Sequence, residues 1–163
     1  MKRLTFIALL ILILVNGANA QFLSSGIALT AVNPVGDFSD AAGTGFGGVF
    51  MAKFGLPVID ITGSVEYLSF SEKENGNIKS SATMWSVNAG ARLSIFPLIS
   101  AGAEIGNYWV TSTVTNGGEV NNTENKIAFT PLIAAQFTMF EVSARYTFLE
   151  KASFISLRAG IYF

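Results

Sequence analysis

The chain has 163 residues, 50 % of them hydrophobic and 13 % charged, and contains neither cysteine nor histidine. That length is one domain, and the two missing residue types exclude disulfides, thiol chemistry, Ser–His–Asp or Cys–His catalysis and His/Cys metal sets. After residue 20, eight basic and eleven acidic residues leave a net charge of −3, which argues against nucleic acid as a partner.

The opening stretch, MKRLTFIALLILILVNGANA, has a charged pair (Lys2 and Arg3), an apolar run from Leu4 to Val15 and a small-residue end. Ala18-Asn19-Ala20 fits the A-x-A cleavage pattern, so residues 1–20 are expected to be a signal peptide and 21–163 the mature domain. The alternative is a transmembrane helix, but the run has 12 residues where a span needs about 20. No later apolar stretch approaches that length. An exported, apolar chain of this kind has one main solution, a closed barrel that satisfies every backbone hydrogen bond internally.

Eight segments then alternate in hydropathy, at roughly 23–32, 44–54, 58–70, 82–96, 99–112, 125–137, 141–148 and 153–163. A period of two without a recurring period of 3.6 predicts strands, and each has about the length of a tilted transmembrane strand. The second, fourth and sixth connections are tight: Gly55-Leu56-Pro57, Phe96-Pro97-Leu98 and Thr138-Met139-Phe140. The first, third and fifth are long and polar: NPVGDFSDAAG, SEKENGNIKSS and TVTNGGEVNNTE. The seventh, 149–152, is short and carries Glu150 and Lys151. Short turns at one end and long loops at the other match the periplasmic and extracellular ends of an outer-membrane barrel. The expected fold is therefore all-β, a transmembrane up-and-down antiparallel barrel of eight strands with both termini on the periplasmic side.

When the more apolar face of each strand is turned outward, no charged residue falls on it. Lys53, Asp60, Glu66, Arg92, Glu104, Lys126, Glu141, Arg145 and Arg158 all fall on the inner face. A basic residue on the lipid face would cost about 2–4 kcal/mol at mid-membrane, which accounts for the sorting. In the last strand the outward set is Ile155, Leu157, Ala159, Ile161 and Phe163. Aromatic residues also sort by height: Phe54, Phe96, Phe137 and Phe163 lie toward the tight turns, and Tyr67, Trp85, Trp109, Tyr146 and Phe148 toward the long loops. Two such girdles are expected at the two membrane interfaces.

Pro131 lies inside the sixth segment, where a closed sheet offers no edge for its missing N–H, so a bulge or a later start to pairing is expected. Gly43-Thr44-Gly45-Phe46-Gly47-Gly48 satisfies G-x-G-x-x-G, but it opens a strand and no helix follows, so small residues in a barrel wall explain it better than a nucleotide. Glu119 and Glu124 lie in an Asn/Gly-rich stretch and read as solvated loop charges, and Asn121-Asn122-Thr123 matches the glycosylation sequon.

Counted from the tight turns, Arg92, Glu104, Arg145 and Arg158 fall at similar heights, with Glu66 somewhat above. Neighbouring strands then predict Glu66 beside Arg92, Arg92 beside Glu104, and Arg145 beside Arg158, with Arg92 as the hub. Five basic and four acidic inner residues sum to +1. Eight strands leave a lumen just wide enough for side chains, so these charges read as a paired plug rather than an ion path or ligand site.

With the strands placed, residues 22–163 resemble the small eight-stranded outer-membrane barrels of the OmpA transmembrane-domain and OmpX type. The closing strand, with Phe163, Ile161, Ala159, Leu157 and Ile155, is the most specific part of the resemblance. It implies that this strand is the signal read by the outer-membrane assembly machinery. OmpA-type members often carry a peptidoglycan-binding domain after the barrel; none follows Phe163 in this sequence, so cell-wall anchoring is not expected. The expectation is a monomeric barrel in the lipid of the bacterial outer membrane, with no cofactor, metal, nucleic acid or enzymatic activity and a structural or surface-interaction role. Its three polar loops would face outward toward an unspecified partner. The alternatives are a narrow porin-like channel and a soluble periplasmic lipocalin-like carrier, which would need an apolar interior.

Overall fold

Alternation in the sequence becomes alternation of burial in the computed structural model, which describes residues 23–75, 78–115 and 119–163. The expected signal peptide, 1–20, lies outside the described residues. The elements are β1 (Leu23–Pro34), α1 (Phe38–Ala41), β2 (Gly45–Gly55), β3 (Ile59–Phe70), β4 (Lys73–Asn75), β5 (Ile78–Phe96), β6 (Ile99–Thr115), β7 (Glu119–Phe137), β8 (Phe140–Thr147) and β9 (Phe154–Tyr162). Neighbours pair antiparallel, β3 pairs with β5, and β1 pairs with β9, which closes eight strands into a ring. The three-residue β4 stands outside the ring, paired to the start of β5.

Every strand turns the face chosen by apolarity outward. In β3, Ile61, Val65 and Tyr67 are exposed, whereas Thr62, Ser64 and Glu66 are buried. This inside-out distribution excludes the soluble lipocalin-like reading, because a soluble barrel would place its polar face in water.

β5, β6 and β7 run further toward the long loops than the hydropathy pattern indicates. β5 begins at Ile78, β6 reaches Thr115 and β7 begins at Glu119, so the third and fifth connections are largely paired strand. The sequence there, Thr111-Ser112-Thr113-Val114-Thr115, is polar but rich in β-branched residues, which favour strand without needing an apolar face. Thr111 and Thr123 share a hydroxyl hydrogen bond of 2.9 Å across the β6–β7 ladder.

Pro131 causes no bulge; it pairs in register with Ala103 of β6. The interruption falls on the other side, where β7 and β8 pair only from Leu132↔Arg145 to Phe137↔Phe140 and meet again at Phe129↔Phe148. Phe129 exchanges both backbone bonds with Phe148, so Pro131, two residues on, turns its missing N–H toward β8. The ladder stops where the donor is absent. A register shift lies instead in β5, between Ser94 and Phe96.

The β7–β8 turn places Thr138 at φ 53°. A β-branched residue is strained in the left-handed region. Thr138→Asn, which tolerates that region, should stabilise the refolded barrel by about 1 kcal/mol. A urea unfolding midpoint equal to that of the wild type would show that this turn stores no strain.

The inner space is layered. At the loop end Val32, Leu68, Phe70, Met84, Tyr108, Val110 and Phe154 form an apolar layer. The one-turn helix α1 adds Phe38, and the last loop adds Leu149 and Ala152. The Phe38 ring meets Phe70 edge-on at 5.1 Å, and Phe154 lies 6.3 Å from Phe70 and 6.2 Å from Tyr108. Below this layer lie the charges.

Candidate functional site

The fully buried charges sit on β3, β5, β6, β8 and β9, and local sequence explains how two of them fit. Gly90 is the cross-strand partner of Glu104, and Gly102 that of Arg92. A Cβ on Gly90 would strike Glu104 Cγ, and one on Gly102 would come within 2.9 Å of Arg92 Cγ. Each long side chain therefore lies over the bare backbone of a glycine on the next strand. The repeated stretches Ala89-Gly90-Ala91-Arg92 and Ala101-Gly102-Ala103-Glu104 carry this device in the sequence, and antiparallel pairing interleaves them.

Glu66, Arg92, Glu104, Glu141, Arg145 and Arg158 are all buried. Glu104 is the hub. Arg145 donates to both its oxygens, Nη2 to Oε2 at 2.5 Å and Nη1 to Oε1 at 3.3 Å. Arg92 Nη2 reaches Oε1 at 3.5 Å, and Thr62 Oγ1 donates to it at 3.3 Å. Arg92 also pairs with Glu141 at 2.8 Å, and Arg158 with Glu66 at 3.2 Å.

Only one of the three expected pairs forms, Arg92 with Glu104. Glu66 does not pair with Arg92; in the ladder Arg92 stands opposite Asp60 and Glu66 opposite Ser86, so the two are six residues, about 20 Å, apart along the strand. Arg145 and Arg158 each find a carboxylate rather than one another. Glu141, counted among the inner charges but left out of the expected network, belongs in it. Three of the four buried pairs span the lumen between strands that are not neighbours, which counting along adjacent strands cannot detect. Its sequence signal was its inward parity on β8.

Lys126 does not belong to the lumen. It pairs with Glu124 at 2.8 Å at the loop end and donates to the Glu150 carbonyl at 3.1 Å. The Lys126 hydrogen bond and charge hold the Glu124 carboxyl below the usual carboxylate range. With Lys126 outside, the inner charges are Lys53, Arg92, Arg145 and Arg158 against Asp60, Glu66, Glu104 and Glu141, a sum of zero. Lys53 closes the short-turn end, bonded to Gln136 and seated 4.5 Å from the centre of the Tyr162 ring. Asn88 supports the middle of the lumen with hydrogen bonds to Ser86 at 3.0 Å and Ser64 at 3.3 Å.

The expected girdle residues lie on the outer wall. Tyr67, Trp85 and Trp109 stand in one row across β3, β5 and β6, with Tyr67 and Trp85 rings 4.8 Å apart. Tyr146 and Phe148 meet at 4.4 Å, and Phe129, which the aromatic sorting omitted, stacks on Phe148 at 6.4 Å. Phe54, Phe96, Phe137 and Phe163 are exposed at the short-turn end, joined by Phe140. From Trp85 to Phe96, at strand rise and a tilt near 40°, the belts stand about 27 Å apart along the axis. That matches an apolar band of about 25 Å.

Ile155, Leu157, Ala159, Ile161 and Phe163 form an exposed row on the closing strand and its end. Phe163 and Ser25 exchange backbone hydrogen bonds in both directions, at 2.8 and 3.2 Å.

No family model matches the chain, and no curated protein matches it. Solved structures do. Ail, the attachment invasion locus protein of Yersinia pestis, aligns over 87 % of this chain and 97 % of its own at 18 % identity, with a TM-score of 0.61. The N-terminal β-barrel domain of Pseudomonas aeruginosa OprF aligns over 86 % and 97 % at 14 % identity, with a TM-score of 0.62. Neisserial surface protein A aligns over 86 % and 95 % at 12 % identity, with a TM-score of 0.53. The fold and the charge-free outer wall define the class: a closed eight-stranded antiparallel β-barrel with its apolar face outward, the fold of these small outer-membrane barrels. In barrels of this fold the long hairpins face outward and the tight turns face the periplasm.

Proposed function

We propose that the protein is a non-conducting barrel with a structural or surface-interaction role, resident in outer-membrane lipid as a monomer. The observation that carries this is the double closure of the lumen, an apolar layer stacked on a neutral, ion-paired layer. A porin-like path would have to pass both. In planar bilayers the purified wild type should show no steady conductance, and steady single-channel openings would favour the narrow-channel alternative. Without histidine or cysteine the chain has few means of covalent or acid–base chemistry, and we infer no catalytic role and no cofactor.

The surface role rests on the long polar hairpins. One structural neighbour is an attachment invasion locus protein, whose structure is also known in complex with the heparin analogue sucrose octasulfate. The connections and loop-end hairpins of this chain carry four basic and seven acidic residues. That balance disfavours a sulfated glycan as partner here.

The closing strand, with Phe163, Ile161, Ala159, Leu157 and Ile155, is proposed as the signal read by the assembly machinery. Phe163→Ala removes one exposed interfacial ring and no lumen contact. It should lower the yield of folded protein in the outer membrane of cells while leaving refolding into detergent close to normal. Unchanged cellular yield would remove this role from Phe163.

A further inference from the structure

We propose that the outer rim carries a binding site for a zwitterionic phosphoethanolamine group. A cleft of about 260 Å³ opens there between the first and last loops, lined by Val35, Gly36, Asp37, Phe38, Tyr146, Lys151, Ala152 and Ser153. Its two walls are held together: Val35 N donates to the Ser153 carbonyl at 3.0 Å. The last loop is fixed by Ser153 Oγ, which donates to the Leu149 carbonyl at 3.1 Å and accepts from Leu149 N at 3.3 Å. The other wall is anchored by Phe38, packed into the apolar layer. A cleft between two fixed walls loses little entropy when it is filled.

The chemistry of the rim is two-signed. Lys151 is exposed and makes no direct ion pair among the described residues, although its charge reaches the Glu124 carboxylate. It is held at φ 61°, a turn conformation a lysine rarely adopts. Asp37 precedes α1 and is exposed, but its carboxylate makes no capping hydrogen bond to the helix. The cleft thus offers a cation and an anion, neither in a direct ion pair among the described residues, with the half-buried Tyr146 as apolar surface. A phosphate would meet Lys151 and an ammonium Asp37, whereas a simple anion would be repelled by Asp37 and a simple cation by Lys151. Tyr146 belongs to the outer aromatic girdle, so the cleft lies at the depth of lipid headgroups. The same group could arrive on a lipid or free in solution.

The test uses the full mature barrel in non-ionic micelles, followed by amide and side-chain NMR shifts. Soluble phosphoethanolamine is titrated in one arm and short-chain phosphatidylethanolamine in another, with glycerol phosphate as the anion lacking an ammonium. Saturable shifts at Val35, Tyr146, Ala152 and Ser153 are expected. Saturation by the lipid alone assigns the site to the bilayer headgroup, and saturation by both shows that the head alone suffices. Lys151→Asn, which keeps the left-handed turn, should weaken binding by about tenfold, and Asp37→Asn should bring the phosphoethanolamine affinity down toward that of glycerol phosphate. No saturation with either phosphoethanolamine probe, or equal affinity in wild type and Lys151→Asn, would overturn the proposal. Bilayer conductance plays no part in this readout, so it stands or falls separately from the closed-lumen reading.

Discussion

Glu104→Ala is expected to be the most destabilising single substitution in the lumen. It removes the carboxylate that accepts from Arg145 twice, from Arg92 and from Thr62, and leaves Arg145 buried without its hydrogen-bonded ion-pair partner. Removing one side of a buried pair costs about 3–5 kcal/mol. Arg92→Ala should cost less, because the Arg145–Glu104 pair survives and the stranded group is Glu141, whose Oε1 has no partner even in the wild type. Arg145→Met in the Glu104→Ala background should recover part of the loss, since the unpaired cation goes with it. Urea unfolding of the four proteins checks the order. A Glu104→Ala barrel as stable as the wild type, or less affected than Arg92→Ala, would remove Glu104 from the centre of the network. Conductance should stay closed in all of them, because the apolar layer around Phe154 and Tyr108 is untouched.

The second large effect is on the outer wall. Ala89 is exposed in the middle of β5, between Gly63 and Ile105 in the ladder. Ala89→Arg places a cation against hydrocarbon at a cost of about 2–4 kcal/mol. The folded fraction in lipid vesicles, read by heat-modifiable mobility on gels, should fall. Ala103→Arg should do the same in a milder way, because Ala103 is partly covered beside Pro131. Asn88→Ser, one residue from Ala89 but facing inward, should insert normally, although it gives up the bonds to Ser64 and Ser86. Equal insertion of Ala89→Arg and the wild type would contradict the assignment of faces.

Which side of each strand meets lipid was legible in the residues alone. A bilayer tolerates almost no charge on one face, and a strand shows that face at every second position, so Glu66, Arg92, Glu104, Arg145 and Arg158 could only point inward. The two aromatic heights and the tight turns were readable for the same reason, since each reflects one-dimensional spacing against a slab of fixed thickness. The partners of the inner charges were not. Barrel closure brings β3 to face β9 and β5 to face β8 across the lumen, and the stagger of the ladder sets Arg92 beside Asp60 rather than Glu66. No count along neighbouring strands contains those distances. The polar ends of β6 and β7 were hidden because ladder hydrogen bonds extend a Thr-rich strand beyond the membrane without any apolar face to mark it. The closure at the loop end also belonged to tertiary structure: Phe38, from α1, and Phe70, Tyr108 and Phe154, from three strands, form one apolar layer only once the ring has closed around them.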